Sequence, residues 1–257
     1  MTATGDEYTA AILIIGDEIL SGRTADQNTP WLAERLDTHG IKLCEVRVIP
    51  DDADAIIHAV NVLRPKYDYL LTTGGIGPTH DDITADSMAK AFGVPLYEDP
   101  EARKVLEEHY GETDLNEARL KMAIVPEGAT LIDNPVSAAP GFIMDNVYVL
   151  AGVPRIMQGM VDTFIQDLAG GNPMQSNTVT CTLGESQIAK ELGDIQDEYP
   201  DVSIGSYPQY RRGVLGLSIV LRSANLELLD NATQKVIATV EELGGSANTV
   251  NVRQASG

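Results

Sequence analysis

The sequence predicts an α/β protein: a three-layer, open, mostly parallel sheet followed by a small α+β domain. Three observations carry that prediction. Short apolar runs alternate with segments of helical period over roughly the first ninety residues, the pattern of a parallel sheet with helices on both faces. The third run, Tyr69-Leu-Leu-Thr-Thr73, breaks into a loop with glycines at 74, 75 and 77, then resumes at helical spacing with Ile83, Met88 and Phe92. Finally, Gly170-Gly-Asn-Pro173 interrupts the chain before a second, different pattern, which sets the expected domains at 1–172 and 173–257.

Taken in order, Ala10 to Ile15 is a continuous apolar run, as expected of a strand covered on both faces. Trp31, Leu32, Arg35 and Leu36 then mark a helix, with Asn28 as its N-cap, Pro30 in its first turn and Gly40 closing it. Ile41 to Ile49 reads as the second strand and Tyr67 to Thr73 as the third. Between them Ile56, Ile57, Val60 and Leu63 form a helix that Pro65 stops. Helices are expected over Ile83 to Phe92, Pro100 to Tyr110, Asn116 to Ala123 and Pro154 to Leu168. Short strands are expected at Ala129 to Ile132, Gly141 to Met144 and Val147 to Leu150, the last two as a hairpin at the sheet edge.

Beyond the break the chain reads strand (Thr178 to Leu183), helix (Glu185 to Glu198), two strands (Val202 to Tyr210, Leu215 to Arg222) and helix (Leu226 to Leu243). This βαββα order resembles half of a ferredoxin-like or KH-like fold, with a loose tail after Ser246. A KH domain would need a G-x-x-G clamp with basic neighbours. Only Arg211-Arg212 stands out in an acidic region, so a packing or dimerisation module is the expectation.

The net charge is −20. Such a surface repels phosphate backbones and anionic membranes, which argues against nucleic-acid and membrane partners. Cys44 and Cys181 are far apart and fit no zinc or C-x-x-C spacing, as free thiols in a reducing cytoplasm would be. The first apolar run is too short for a signal peptide, and no stretch approaches a membrane span.

In an open parallel sheet, ligands bind beyond the carboxyl ends of the strands. Gly16-Asp17-Glu18, Pro50-Asp51-Asp52 and the loop through Asp81-Asp82 all fall there. The glycine loop offers backbone N–H groups and a helix start to an oxyanion. Acids gathered beside it repel such a ligand unless a divalent cation such as Mg²⁺ or Mn²⁺ bridges them. Each acid has a plainer reading: Asp82 could cap the following helix, Asp51 or Asp52 the helix leading to Leu63, and Glu18 could be merely solvated. His80 could meet a phosphate or simply be exposed. A dinucleotide fingerprint fails, because His80 stands where the third glycine belongs; no Walker A sequence and no G-x-S-x-G elbow occurs. Asn134-Pro-Val-Ser-Ala-Ala-Pro-Gly141 supplies small residues, and Ser137 a hydrogen-bond donor, to a flat ligand; it reads equally as a rigid connector.

Four motifs together carry a resemblance. Gly16-Asp17-Glu18-Ile19-Leu20-x-Gly22, Pro50-Asp51, Thr73-Gly74-Gly75-Ile76-Gly77-Pro78-Thr79-x-Asp81-Asp82-x-Thr84, and Pro135-Val-Ser-Ala-Ala-Pro-Gly-Phe142 resemble the MoaB/Mog molybdopterin-binding domain. Their spelling is most similar to the N-terminal region of the competence/damage-inducible CinA family, whose C-terminal amidase domain lies outside the resemblance. The CinA-like branch implies metal-dependent hydrolysis of ADP-ribose to AMP and ribose 5-phosphate, and a similar domain of eukaryotic FAD synthases implies FAD hydrolysis. The Mog branch implies binding and adenylylation of molybdopterin. That branch implicates the acid of the Pro-Asp motif and the acid after the glycine loop, here Asp51 and Asp82, which are the catalytic candidates. In a hydrolase, Asp82 with Asp17 or Glu18 would hold Mg²⁺, Mn²⁺ or Co²⁺, and Asp51 would orient or deprotonate water. Thr73, Gly74, Gly75, Gly77, Thr79, Asn134, Ser137, Pro140 and Gly141 would bind the ligand. The related groups assemble as oligomers, which implies a dimer or trimer. A binding module without chemistry is the third reading.

Overall fold

The computed structural model describes residues 8–211 and 214–252. The chain forms two compact units, Met1–Gly171 and Asn172–Gly257. The first runs β1 (Tyr8–Ile15), α1 (Asp17–Leu20), α2 (Asn28–Thr38), β2 (Ile41–Ile49), α3 (Ala53–Leu63), β3 (Tyr69–Thr73) and α4 (Thr84–Phe92). It continues with β4 (Leu96–Glu98), α5 (Pro100–Asp114), α6 (Glu117–Leu120), β5 (Ile124–Pro126), β6 (Thr130–Ile132), β7 (Gly141–Met144), β8 (Val147–Leu150) and α7 (Pro154–Phe164).

Its sheet has the order β2-β1-β3-β8-β7-β6. The first four strands are parallel, and β7 and β6 antiparallel. All six residues of the run Ala10 to Ile15 are buried, because successive side chains enter different cores. Ile12 and Ile14 meet Leu32 and Leu36 of α2 and Met157, Met160 and Val161 of α7. Leu13 and Ile15 meet Ile56, Val60 and Leu63 of α3 and Met88 of α4. Each such fully buried Leu or Ile contributes about 1.5–3 kcal/mol. The chain leaves β1 across one face through α2 and returns from β2 across the other through α3. The crevice where a ligand sits in such sheets is therefore at the carboxyl ends of β1 and β3.

Local details depart from the sequence reading. Asn28 does not cap α2; the Asp26 carboxylate accepts the N–H groups of Asn28 (2.9 Å) and Thr29 (3.1 Å) instead. That frees the Asn28 amide to turn inward and donate to Gly152 O at 2.9 Å. The β7–β8 hairpin forms, but β8 lies inside the sheet against β3, and β6 takes the edge. Strands β4 and β5 pair as a separate ribbon that their three-residue length hid. Helix α5 extends beyond Tyr110 through a left-handed kink at Gly111 (φ 68°).

The second unit runs β9 (Gln175–Cys181), α8 (Glu185–Glu198), β10 (Ser203–Arg211), β11 (Val214–Ser223), α9 (Leu226–Glu242) and β12 (Ala247–Val252). Its antiparallel order β10-β11-β9-β12 is the split βαβ arrangement of a complete ferredoxin-like fold, not half of one. The expected loose tail is thus corrected: Ala247–Val252 is an edge strand against β9, with Asn248 opposite Thr180. Its polar composition gave no apolar run to read, since an edge strand is held by backbone pairing. Val179, Ile219 and Leu221 pack under Ile188, Leu229 and Val236. Arg212 lies outside the described residues.

On the sheet-edge strand β2, Leu43 faces Ala10 and Glu45 faces Ala11, so Cys44 is an extra residue in a bulge. Glu45 accepts hydrogen bonds from Tyr67 Oη (2.7 Å), Lys66 Nζ (2.9 Å) and Arg47 Nε (2.6 Å). The Tyr67 hydroxyl first, then Lys66 and Arg47, hold its carboxyl at about 2. A carboxyl depressed in the folded state stabilises above its unfolded value and loses that contribution as pH falls through the folded one. Glu45→Gln is therefore expected to lower Tm at pH 7, with the difference from wild type shrinking from about pH 4.5 toward about pH 2. Thermal unfolding of both proteins across that range checks it; a pH-independent gap would exclude the linkage.

Candidate functional site

The first, second and third strands end on one cavity of 710 Å³, lined by the glycine loop, Glu18, Asp51, Asp81 and Asp82. Opposite walls come from Ser137 and Ala139, from Ala151 to Pro154, and from Tyr110, Arg119 and Met122. The loop's path is set by two residues without side chains. Gly74 (φ 109°) donates its N–H to Leu150 O at 3.1 Å, and a Cβ there would lie 2.0 Å from Ile15 O. Gly75 (φ 69°) would put a Cβ 2.2 Å from the Thr84 hydroxyl. That buried hydroxyl donates to Gly74 O at 2.9 Å, and Thr84 N–H to Gly75 O at 3.0 Å. Both glycine carbonyls are thereby turned toward α4.

The acids divide into those that build and those that face the cavity. Asp52 caps α3, accepting the Ala55 N–H at 2.9 Å, which leaves Asp51 free. Asp51 Oδ2 accepts the backbone N–H of Asp17 at 3.0 Å, so the ends of β1 and β2 are tied together at the cavity rim. Asp17 reaches the site through that N–H; its side chain does not line the cavity, whereas Glu18 does. Asp82 is not a helix cap. Its Oδ2 accepts the Thr79 N–H at 2.8 Å and approaches the Thr79 hydroxyl at 2.6 Å. Asp81 Oδ1 is within hydrogen-bond reach of that same hydroxyl, which holds the Asp81 carboxyl below the usual range. One hydroxyl proton serves one acceptor, so one of these carboxylate oxygens faces the Thr79 oxygen without a proton between them. His80 points to solvent, with its side chain 98% exposed.

The Asn134–Gly141 stretch is mainly a built turn. Asn134 Oδ1 accepts the Val136 and Ser137 N–H groups, both at 3.0 Å, and its amide donates to Ser137 Oγ (2.7 Å) and Ala139 O (2.8 Å). Ser137 Oγ, an acceptor there, keeps its own proton for a ligand in the cavity. Pro140 is buried and lines a different cavity, and Gly141 lies in β7, where a Cβ would meet Val149 O at 2.4 Å. Thr73 opens on a small side chamber of 50 Å³, next to the Asn28 amide. Two site residues had no signal in the local sequence. Lys121 Nζ donates to Thr79 O and, at 2.8 Å, to Asp82 O, pinning the loop from behind. Arg119 enters the cavity wall stacked on Tyr110. A basic pair after a helix in so acidic a chain is the only hint the sequence offered.

Residues 11–170 match the family model described as a probable molybdopterin binding domain, and residues 173–244 that of the FAD synthase middle domain. The crystal structure of the protein CinA from Thermoplasma acidophilum, whose function is given as unknown, superposes with a TM-score of 0.59 at 35% identity. It covers 63% of this chain and 99% of its own. The chain is a CinA-like member of the MoaB/Mog family. An Aeropyrum pernix protein is 34% identical over 92% of this chain and 95% of its own length. A putative competence-damage inducible protein from Clostridium beijerinckii is 32% identical over 91% of this chain, which spans 58% of that protein.

For this MoaB/Mog domain the donor set bears on a cation. No group of three His, Cys, Asp or Glu able to hold a metal occurs among the described residues. The convergent Asp81 and Asp82 oxygens still suit a hard divalent ion of the kind bound through one or two carboxylates with ligand phosphates completing its shell.

Gly74→Ala and Gly77→Ala separate backbone strain from side-chain displacement. The first sets a Cβ against a carbonyl at positive φ and is expected to cost more than about 2 kcal/mol. The second meets only the Asp82 carboxylate, at 2.7 Å, which can turn aside by giving up its Thr79 bonds. Denaturant unfolding is expected to show a larger loss for Gly74→Ala than for Gly77→Ala, where the cost is about that of those bonds, roughly 1–2 kcal/mol. Equal losses would contradict this account of the loop.

Proposed function

We propose that this MoaB/Mog domain is a metal-dependent pyrophosphatase acting on ADP-ribose-type nucleotides, releasing AMP and ribose 5-phosphate. The carrying observation is that one cavity joins the Gly74–Gly77 backbone to four carboxylates, Glu18, Asp51, Asp81 and Asp82. An anion-cradling loop among acids suits a substrate that arrives with a cation.

The chain's own groups then have definite tasks. The loop N–H groups bind the phosphoryl oxygens and oppose the charge that develops on them. Asp51, fixed through Oδ2 by the Asp17 N–H, uses Oδ1 to orient a water and accept its proton. The water oxygen forms the new P–O bond as the bridging P–O bond breaks, and the bridging electrons leave with the departing phosphate. Asp82 keeps the loop closed through Thr79 and, with Asp81, would hold the cation. A divalent ion held there, Mg²⁺, Mn²⁺ or Co²⁺, would offset the carboxylates and polarise the phosphoryl oxygens. Ser137 and the apolar wall at Val153 and Ile156 are placed to receive the rest of the nucleotide.

The test is a turnover screen of ADP-ribose and FAD against the three metals, following AMP by chromatography. AMP is expected from ADP-ribose. Asp51→Asn and Asp82→Asn are each expected to lower kcat at least about 100-fold with Tm nearly unchanged, since in the Asp82→Asn variant the amide oxygen still accepts the Thr79 N–H. Absence of turnover with every metal would replace this reading by binding alone. The family's description as a probable molybdopterin binding domain makes titration with molybdopterin the next measurement in that event.

A further inference from the structure

Among the described residues, the cavity lining has one positive side chain, Arg119, beside four carboxylates. In a chain of net charge −20, Arg35 pairs with Asp162, Arg47 with Glu45, and Arg103 with both Glu98 and Glu107, whereas Arg64, away from this cavity, lies over the Phe92 ring and donates to Ala91 O. Arg119 pairs with no carboxylate among the described side chains. Its guanidinium carbon instead lies 4.1 Å from the Tyr110 ring centroid, and Nη1 donates to the Asp114 carbonyl. Its backbone N–H goes to the Asn116 side chain at 3.0 Å, which starts α6 and fixes where the side chain leaves the helix. The fork is thus oriented by a ring and a carbonyl, both neutral, with no carboxylate paired to it among the described side chains and donors to spare.

The segment bearing it also carries Lys121, whose two bonds to Thr79 O and Asp82 O hold the glycine loop. Arg119 and the loop are therefore set against one another by a single short stretch, residues 119 to 121. Lys121 is engaged on two loop carbonyls, and Arg119 is engaged on the Asp114 carbonyl through one nitrogen only.

We propose that Arg119, presented by Tyr110, is the anion-recognition side chain of this site, taking a phosphate of the ligand across from the glycine-loop N–H groups. The inference rests on the nucleotide-pyrophosphate reading above and adds what selects for charge. The loop N–H groups and a carboxylate-bound cation serve any phosphate. The planar fork favours a ligand that carries a second phosphate beyond the one on the loop, so a pyrophosphate is favoured over a monophosphate. Tyr110 acts only by positioning the fork.

The test is calorimetric titration, with Mg²⁺, of the α,β-methylene analogue of ADP-ribose, of AMP and of adenosine. Arg119→Ala is expected to raise Kd for the analogue about thirtyfold, for AMP less, and for adenosine not at all. Arg119→Lys, which keeps the charge without the fork, is expected to restore AMP binding better than analogue binding. Tyr110→Phe keeps the stacked ring and should match wild type, while Tyr110→Leu should weaken the analogue about threefold. Arg119→Ala binding the analogue as wild type does would overturn this proposal and leave the pyrophosphatase reading standing. Equal weakening of adenosine and analogue, with a fallen Tm, would show a structural role and overturn it as well. Wild type binding no phosphate ligand at all would overturn both.

Discussion

The carboxyl edge of the sheet depends on how closely backbone passes backbone at Gly74. Its N–H reaches Leu150 O on one side, and the space a Cβ would fill holds Ile15 O on the other. Three strand ends, those of β1, β3 and β8, therefore meet at one residue that no other amino acid could replace without moving a carbonyl. Thr84 completes the arrangement by taking the next two turns of chain onto α4. The loop's carbonyls are occupied by Thr84 at Gly74 and Gly75 and by Lys121 at Thr79 and Asp82, and its N–H groups at Gly74 and Thr79 by Leu150 O and the Asp82 carboxylate, which leaves those of Gly75, Ile76 and Gly77 for a ligand in the cavity they line.

Once the loop is placed, electrostatics decides what the cavity can accept. Four carboxylates on one wall exclude a bare anion, and a loop of N–H groups excludes a bare cation. The proposed occupant, a phosphate with its counter-ion, would satisfy both, presenting oxygens to the N–H groups and a positive centre to the acids. The crowding around the Thr79 hydroxyl concentrates this requirement at Asp81 and Asp82. Arg119, on the cavity wall with Tyr110, pairs with no carboxylate among the described side chains, so the proposed phosphate contact would leave the acids available.

The division of labour among adjacent acids shows what local reading could and could not do. Asp51 and Asp52 are indistinguishable in sequence, yet one caps a helix and the other faces the cavity, because successive residues leaving a strand point in different directions. Asp82 looked like a helix cap from its position before Ile83. Thr79, three residues earlier, claims it instead, and α4 begins without a side-chain cap. Asn134 both lines the cavity and builds the turn that holds Ser137, whereas Gly141 serves the strand pair.

What the sequence determined by itself was the sheet, its cores and the edge where the site lies. Those follow from apolar period and strand-end position, which are local and repeat along the chain. The glycines and the acids after β1, β2 and β3 were legible for the same reason. Tertiary structure alone decided which acid faces inward, that Lys121 and Arg119 join a loop some forty residues earlier in the chain, and that Ala247–Val252 is a strand. The roles of the acids turn on single contacts, some only three residues apart, and the other two outcomes on contacts between segments distant in sequence, worth a few hydrogen bonds or one charge. Such contacts leave no periodic trace, because only one or two residues make them and the chain around them is free to be anything that folds.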